Sequence, residues 1–215
     1  MPRWGWVIGG GAVAFLLGIA IALWTQSAGD WGIGASWEVA LLRRANTRLP
    51  AAFDALLILI AWLGTNITLV PISAVVALFA LRRSRRDIAL HVAVAQTGSI
   101  LLNQILKYAF ERPRPEIFEG RGWYAQSSFP SGHAIASIAM LFTFAVLLYR
   151  ERGWRWPLAV ALVLVLINLY SRLYLAVHWP TDVIAGAAVG VVWLVATIRA
   201  FRPPLTNPES RSFSQ

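Results

Sequence analysis

Six stretches of this chain run for sixteen residues or more without an Asp, Glu, Lys or Arg, and they constrain the fold more than any other feature. They are Trp4–Trp24, Ala55–Leu81, Ile88–Leu106, Ser131–Tyr149, Trp156–Ser171 and Val183–Ile198. A helix crosses the hydrocarbon core of a bilayer with about 20 residues. Lipid offers no partner to a backbone amide, so an apolar run of this length folds as a helix that satisfies itself. Of the 215 residues, 13% are charged and 58% are hydrophobic, where a soluble domain carries about 25% charge. The expected fold class is all-α, a polytopic six-span transmembrane helical bundle with short loops. Its spans cover about 4–24, 53–81, 87–108, 131–150, 155–172 and 180–200 within a single unit, 1–202. The Pro- and Ser-rich segment 203–215 is expected to be a disordered tail. The second run is long and is interrupted by Gly64-Thr65-Asn66 and by Pro71. Each half is too short to cross alone, which predicts one tilted or kinked helix. The first run is longer than the apolar core of a usual signal peptide and reads as a retained span.

Charges between the runs set the orientation. With the N-terminus inside, the inner segments hold 11 basic residues and the outer segments 8, while seven of the ten acids fall outside. The tight inner turns carry the dense clusters, Arg82-Arg83-Ser84-Arg85-Arg86 and Arg150, Arg152 and Arg155. Cytoplasmic loops favour such clusters, so both termini are expected on the cytoplasmic side of an integral membrane protein. Tryptophans near the span ends, Trp4, Trp6, Trp24, Trp154, Trp156 and Trp179, read as interfacial belts. In the first outer loop, Trp37–Arg44 reads as a short helix in the interface or a simple connector. Net charge is +9, but the arginines flank apolar runs rather than forming a basic stripe. That pattern points to anionic lipid and topology, with no nucleic-acid partner. The absence of cysteine removes thiolate chemistry, disulfides and Cys-based metal sites.

Ionisable residues at span ends are functional suspects in a membrane protein. Three clusters fall on the same outer face. Lys107 ends the third span and is followed by Arg112-Pro113-Arg114-Pro115. Phe129-Pro130-Ser131-Gly132-His133 opens the fourth. Ser171-Arg172 ends the fifth and leads to His178-Trp179-Pro180-Thr181-Asp182. A helix start offers free N–H groups and the positive end of its dipole to an anion, and Gly132 permits close approach. Lys107, Arg114 and Arg172 match the charge of a phosphate. Asp182, four residues after His178, is placed to accept from one ring nitrogen and leave the other bare. Two histidines, three cations and a helix N-terminus describe phosphoryl transfer that calls on no metal and no cofactor. Spacing alone does not decide which histidine is the nucleophile; only the neighbouring carboxylate favours His178. Within the third span, His91, Gln96, Ser99, Asn103 and Gln104 are expected to face the bundle interior, with Asn103 a candidate to position Lys107. Arg112 and Arg121 read as solvated or headgroup-facing charges, and Glu111, Glu116 and Glu119 as acids that repel substrate anions or pair with those arginines.

The combination Lys107…Arg114-Pro115, Pro130-Ser131-Gly132-His133 and Ser171-Arg172…His178…Asp182 resembles the three signature motifs of the type-2 phosphatidic acid phosphatase superfamily. The resemblance implies a membrane enzyme that hydrolyses lipid phosphates or diphosphates through a phosphohistidine. It assigns His178 as nucleophile, Asp182 as the residue that orients it, and His133 as the acid that protonates the leaving oxygen. Lys107, Arg114 and Arg172 would hold the phosphate, with the Ser131 side chain and the backbone of Gly132 and His133 completing the cradle. Candidate substrates are phosphatidic acid, phosphatidylglycerol phosphate, lysophospholipid phosphates, an isoprenyl (undecaprenyl) diphosphate and a lipid A phosphate, met at the outer face of a bacterial-type inner membrane. A broad lipid phosphatase is the first reading and an isoprenyl diphosphate phosphatase the second; a lipid phosphotransferase with the same site is an alternative of a different class. An intramembrane serine protease leaves the three cations unexplained, and a transporter would place its charges near the midplane rather than at one face.

Overall fold

In the computed structural model, which describes residues 1–46, 51–117 and 127–201, the chain forms eight helices. They are α1 (Trp4–Ser27), α2 (Ser36–Ala45), α3 (Ala51–Trp62), α4 (Asn66–Arg82), α5 (Arg86–Phe110), α6 (Gly132–Arg152), α7 (Trp156–Tyr174) and α8 (Pro180–Ala200). Five of them, α1, α5, α6, α7 and α8, are long and apolar enough to cross a membrane. The bent pair α3–α4, whose axes differ by 49°, passes the same test when its halves are taken together, which makes six spans if the pair is one crossing. Ile8, Leu16, Ile67, Val75, Val163 and Ile184 project outward from these helices. That outward apolar surface is what lipid solvates, and it accounts for the composition.

The break lies at Leu63–Thr65 and not at Pro71, which sits inside an unbroken α4. The physical reason is visible in the partners. Thr65 caps α4, its Oγ1 accepting from the Thr68 amide at 3.3 Å. Asn168, buried on α7, donates its side-chain amide to the carbonyls of Ile60 (3.1 Å) and Ala61 (3.3 Å) at the end of α3. Irregular backbone at membrane depth persists where the protein supplies such partners. Gly64 is required by this arrangement, since a Cβ there would overlap the Asn168 amide. Replacing Asn168 with Leu removes two buried hydrogen bonds, a loss of about 1–3 kcal/mol. A lowered midpoint of thermal unfolding in detergent checks this, and an unchanged midpoint would contradict the role given to Asn168.

α6 and α8 form the centre of the bundle, with about half of their most apolar segments buried (56% and 50%) against 17% for α1. The Trp193 indole of α8 lies over Gly98 of α5 and donates to the Ala95 carbonyl at 2.9 Å. α1 runs along α8, tied at one end by the Arg3 amide donating to the Ala200 carbonyl. Four of the five polar residues of α5 singled out from sequence are buried: His91, Gln96, Ser99 and Asn103. Gln96 links α5 to α4, accepting from Ser73 (3.0 Å) and donating to Asn66 (3.2 Å). His91 stacks on Phe201 with ring centroids 4.8 Å apart. Trp4, Trp6, Trp24, Trp154 and Trp156 stay exposed as belts do, but Trp179 is 2% exposed and belongs to the interior. The segment 203–215 and most of the loop between Glu116 and Ser128 lie outside the described residues.

Candidate active site

Successive spans alternate in direction, so the C-terminal ends of α5 and α7 and the N-terminal ends of α6 and α8 meet at one end of the bundle. That end holds Lys107, Arg114, Ser131, Gly132, His133, Arg172, His178 and Asp182. Lys107, Ser131, Arg172, His178 and Asp182 are buried there, while Gly132, His133 and Arg114 remain partly open. A ligand can therefore reach the front of the group while its back is dry.

The three cations converge. Lys107 Nζ donates to the Ser127 carbonyl oxygen, and Arg114 Nη2 reaches the same oxygen at 3.5 Å. Arg114 Nη1 also donates to the Val177 carbonyl at 2.6 Å, next to His178. Arg172 Nη1 donates to His133 Nε2 at 3.0 Å. Its Nε and Nη2 both point at Ser171 Oγ, at 3.2 and 3.1 Å, and that hydroxyl donates to the Asn168 carbonyl at 2.6 Å. Because a guanidinium only donates, His133 Nε2 accepts, and the neutral ring carries its proton on Nδ1.

His178 sits in the turn between α7 and α8. Ala176 holds φ 50°, a left-handed conformation that is strained for alanine and turns the chain back over the site. His178 Nδ1 lies 2.8 Å from the Ser128 carbonyl oxygen, which can only accept. The proton is therefore on Nδ1, and Nε2 carries a bare lone pair. Burial, followed by the charges of Arg114, Lys107 and Arg172, holds this imidazole well below its ordinary pKa, against the opposing pull of the Ser128 carbonyl. A histidine held neutral in the fold but free to protonate at about pH 6.5 when unfolded stabilises the native state above that pH and loses the benefit as pH falls through it. The same depression keeps His178 neutral below pH 6.5. A histidine-selective NMR titration is expected to show one ring, absent in His178→Ala, that stays neutral down through pH 6. A ring that titrates at its ordinary value would contradict the assignment.

Asp182 differs from the expectation that it accepts a hydrogen bond from a His178 ring nitrogen. Its Oδ2 is 3.7 Å from His178 Nδ1, beyond hydrogen-bond length. Oδ2 instead accepts from the Trp179 amide at 2.8 Å, capping the first turn of α8. Oδ1 accepts from Arg112 Nη1 at 2.7 Å. Asp182 thus fixes the turn that presents His178, while the Ser128 carbonyl sets its tautomer. The Ser131 hydroxyl is likewise a cap, accepting from the Ala134 amide at 3.5 Å, and the Ser131 amide donates to the Asp182 carbonyl at 3.0 Å. The starts of α6 and α8 are thereby joined. Asn103, one turn before Lys107 on α5, has no hydrogen-bond partner at Oδ1 among the described residues, and its amide rests on Gly132, where a Cβ would stand 2.9 Å from Nδ2.

Arg112 is the largest correction. It is fully buried, not solvated. Its guanidinium bonds Asp182, Thr181 Oγ1 (2.6 Å), Glu38 Oε2 (3.1 Å) and the Trp31 carbonyl (3.0 Å). It also lies 5.1 Å from the Trp31 ring centroid and 5.4 Å from that of Trp179. Full burial of the charge is tolerable because nearly every N–H has a partner. The sequence signal was slight: an arginine directly after a span end and two residues before a suspected phosphate ligand. Glu38 gave none, since its partners lie 74 and 143 residues away. Among the described residues, no three His, Asp or Glu side chains group as metal ligands would.

Residues 88–204 match the family model described as the PAP2 superfamily. The chain belongs to that family. The matched residues include all eight site positions and leave α1–α4 outside. An undecaprenyl-diphosphatase of Sulfolobus acidocaldarius is 30% identical over 168 residues, 75% of this chain and 76% of that protein. A lipid A 1-phosphatase of Rhizobium johnstonii is 35% identical over 111 residues, 47% of this chain and 43% of its relative. Among solved structures, a transmembrane PAP2-type phosphatidylglycerolphosphate phosphatase from Bacillus subtilis superimposes with a TM-score of 0.73 at 25% identity. The match covers 87% of this chain and 93% of that one. In PAP2 terms, the partly open motif residue His133 of α6 meets the buried Arg172 of α7 directly, at 3.0 Å.

Proposed function

We propose that this PAP2 protein is an integral membrane phosphatase that cleaves the terminal phosphate of a lipid phosphate or diphosphate through a phosphohistidine at His178. The observation that carries this reading is the bare, neutral Nε2 of His178 beside three cations and the N-terminus of α6. A phosphate entering that space exchanges the Ser127 carbonyl for its own oxygens at Lys107 and Arg114. It also draws the Arg172 guanidinium from His133 Nε2, which is then free to carry a proton.

His178 Nε2 attacks phosphorus in line. The P–O bond to the lipid breaks, and His133 delivers its proton to the departing oxygen. A water then attacks the phosphorus, giving its proton to His133; the P–Nε2 bond breaks, His178 returns to its neutral form, and inorganic phosphate leaves. In a loose phosphoryl transition state most of the catalysis comes from positioning and charge complementarity. The cations and the amides of Gly132 and His133 supply that complementarity, and the dry back of the site strengthens it.

The lipid chains remain in the bilayer beside the bundle while the head group occupies the polar end. The relatives differ in substrate, with polyprenyl diphosphate, lipid A and phosphatidylglycerolphosphate among their names. What these share is a phosphate on a membrane-anchored lipid, and that shared group is what the cations and the helix N-terminus of this site match. A polyprenyl diphosphate is the second reading, favoured by the undecaprenyl-diphosphatase match over three quarters of both chains.

The site faces the outer side of a bacterial-type inner membrane and both termini face the cytoplasm, by the arginine bias of the inner turns. Because the chain has no cysteine, single Ser84→Cys and Ser27→Cys variants report the two faces. Impermeant maleimide is expected to label Ser27→Cys in intact cells and Ser84→Cys only after permeabilisation; the reverse pattern would invert the topology. The function is tested by phosphate release from phosphatidic acid, phosphatidylglycerol phosphate and undecaprenyl diphosphate, with and without orthovanadate and chelator, and with an added alcohol acceptor. Vanadate-sensitive, chelator-resistant release of free phosphate is expected. Phosphate recovered on the acceptor alone would make the protein a transferase.

A further inference from the structure

Glu38 is 1% exposed on α2, and three of the four groups that donate to it belong to Arg112 and Thr181 at the catalytic end of the bundle. Its Oε1 accepts the Thr181 amide at 3.0 Å and the Thr181 hydroxyl at 2.7 Å. Its Oε2 accepts Arg112 Nη2 at 3.1 Å and the Ala35 amide, three residues earlier in its own chain, at 3.1 Å. The Thr181 amide is one of the orphan donors at the start of α8, a group that helices ordinarily leave to water or to a local cap. Here a carboxylate from an element 143 residues away caps it. Thr181 lies between Trp179, whose amide is held by Asp182, and Asp182 itself. Arg112 bridges both carboxylates, with Nη1 on Asp182 and Thr181 and Nη2 on Glu38.

We propose that Glu38 is a positioning residue for the reaction: acting through Thr181 and Arg112, it clamps the first turn of α8 so that His178 Nε2 stays aimed at the phosphate. The proposal rests on His178 being the nucleophile. It extends the working site to α2, which lies outside the residues matched by the family model. α2 also bears the exposed Trp37, Leu41, Arg43 and Arg44, so the catalytic turn is tied to a helix that presents apolar and basic side chains to its surroundings. The cations that grip phosphate come from α5, the segment after it and α7, and none of them contacts Glu38 in the hydrogen bonds described above. Loss of the clamp therefore acts on the chemical step more than on binding.

The test compares full-length Glu38→Gln, Glu38→Asp, Thr181→Ala and Leu42→Ala in the same lipid-phosphate assay, with His178→Ala as blank. Glutamine offers one oxygen where four donors converge and sets its own NH2 against the Arg112 guanidinium. The expected result for Glu38→Gln is a kcat lowered on the order of 30-fold with KM within threefold. Glu38→Asp should recover part of that loss. Leu42 is buried on the same helix and brings no polar group to this network; Leu42→Ala should lower the unfolding temperature and leave kcat nearly intact. Should Glu38→Gln fail to fold, Thr181→Ala decides, with a severalfold loss in kcat and an unchanged KM. Wild-type kcat in Glu38→Gln or Thr181→Ala overturns the clamp. So does an equal loss in Leu42→Ala at matched destabilisation, which would make α2 a structural prop. Persistent activity in His178→Ala would instead overturn the mechanism and leave the clamp without an object.

Discussion

Replacing His178 with alanine is expected to lower kcat on the order of 10^4-fold while leaving a folded protein. The side chain that bonds to phosphorus is lost, and neighbouring groups cannot substitute for it; knocking out a covalent nucleophile typically leaves only the rate enhancement that binding and charge stabilisation provide. The structural cost is modest. His178 makes one hydrogen bond, to the Ser128 carbonyl, and the cavity and lost bond together amount to about 1–3 kcal/mol. The phosphate-holding cations stay in place, so vanadate or product phosphate should still bind. Steady-state phosphate release alongside thermal unfolding checks both halves. Turnover within tenfold of wild type would remove His178 from the nucleophile's role.

Asp182→Asn is expected to damage both activity and stability, and this contrast separates the two residues. Asp182 is fully buried; one oxygen faces Arg112 at 2.7 Å and the other the Trp179 amide at 2.8 Å. Asparagine keeps the shape but replaces one acceptor with a donor, set against either a guanidinium or an amide N–H. It also leaves Arg112 with Glu38 as its one remaining carboxylate. Breaking a buried, fully hydrogen-bonded pair in this way costs about 3–5 kcal/mol. The turn that aims His178 loses its cap, and kcat should fall on the order of 10^3-fold. Detergent unfolding and turnover measured on the same preparation check this. An Asp182→Asn protein as stable as wild type would mean that the Arg112–Asp182 bond is incidental.

The parts of the molecule legible in the sequence were those where lipid removes alternatives. Charge-free runs of bilayer length can only be helices, and alternation then places Lys107, His133, Arg172 and His178 at one end whatever the packing angles. The bent crossing was half legible. Gly64 and Pro71 both stood out, but only the structure shows Asn168 reaching across to feed the break at Gly64 while α4 absorbs Pro71. What remained hidden were partners with no side-chain signature or no sequence proximity. The carbonyl of Ser128, which sets the His178 tautomer, looks like any other carbonyl, and spacing made Asp182 the more obvious acceptor. Arg112 and Glu38 resemble ordinary loop and surface charges until long-range folding seals them together. Trp179 matched the interfacial tryptophans by position, but its indole covers Gly34 and donates to the Pro113 carbonyl at 3.0 Å.

Quench-flow with a 32P-labelled lipid phosphate, followed by peptide mapping under alkaline conditions, addresses the covalent step itself. An acid-labile, alkali-stable phosphoryl group on the peptide containing His178, formed as fast as the lipid alcohol is released, is the predicted result. A burst of alcohol with no phosphorus on the protein, or label on the peptide of His133, would contradict it.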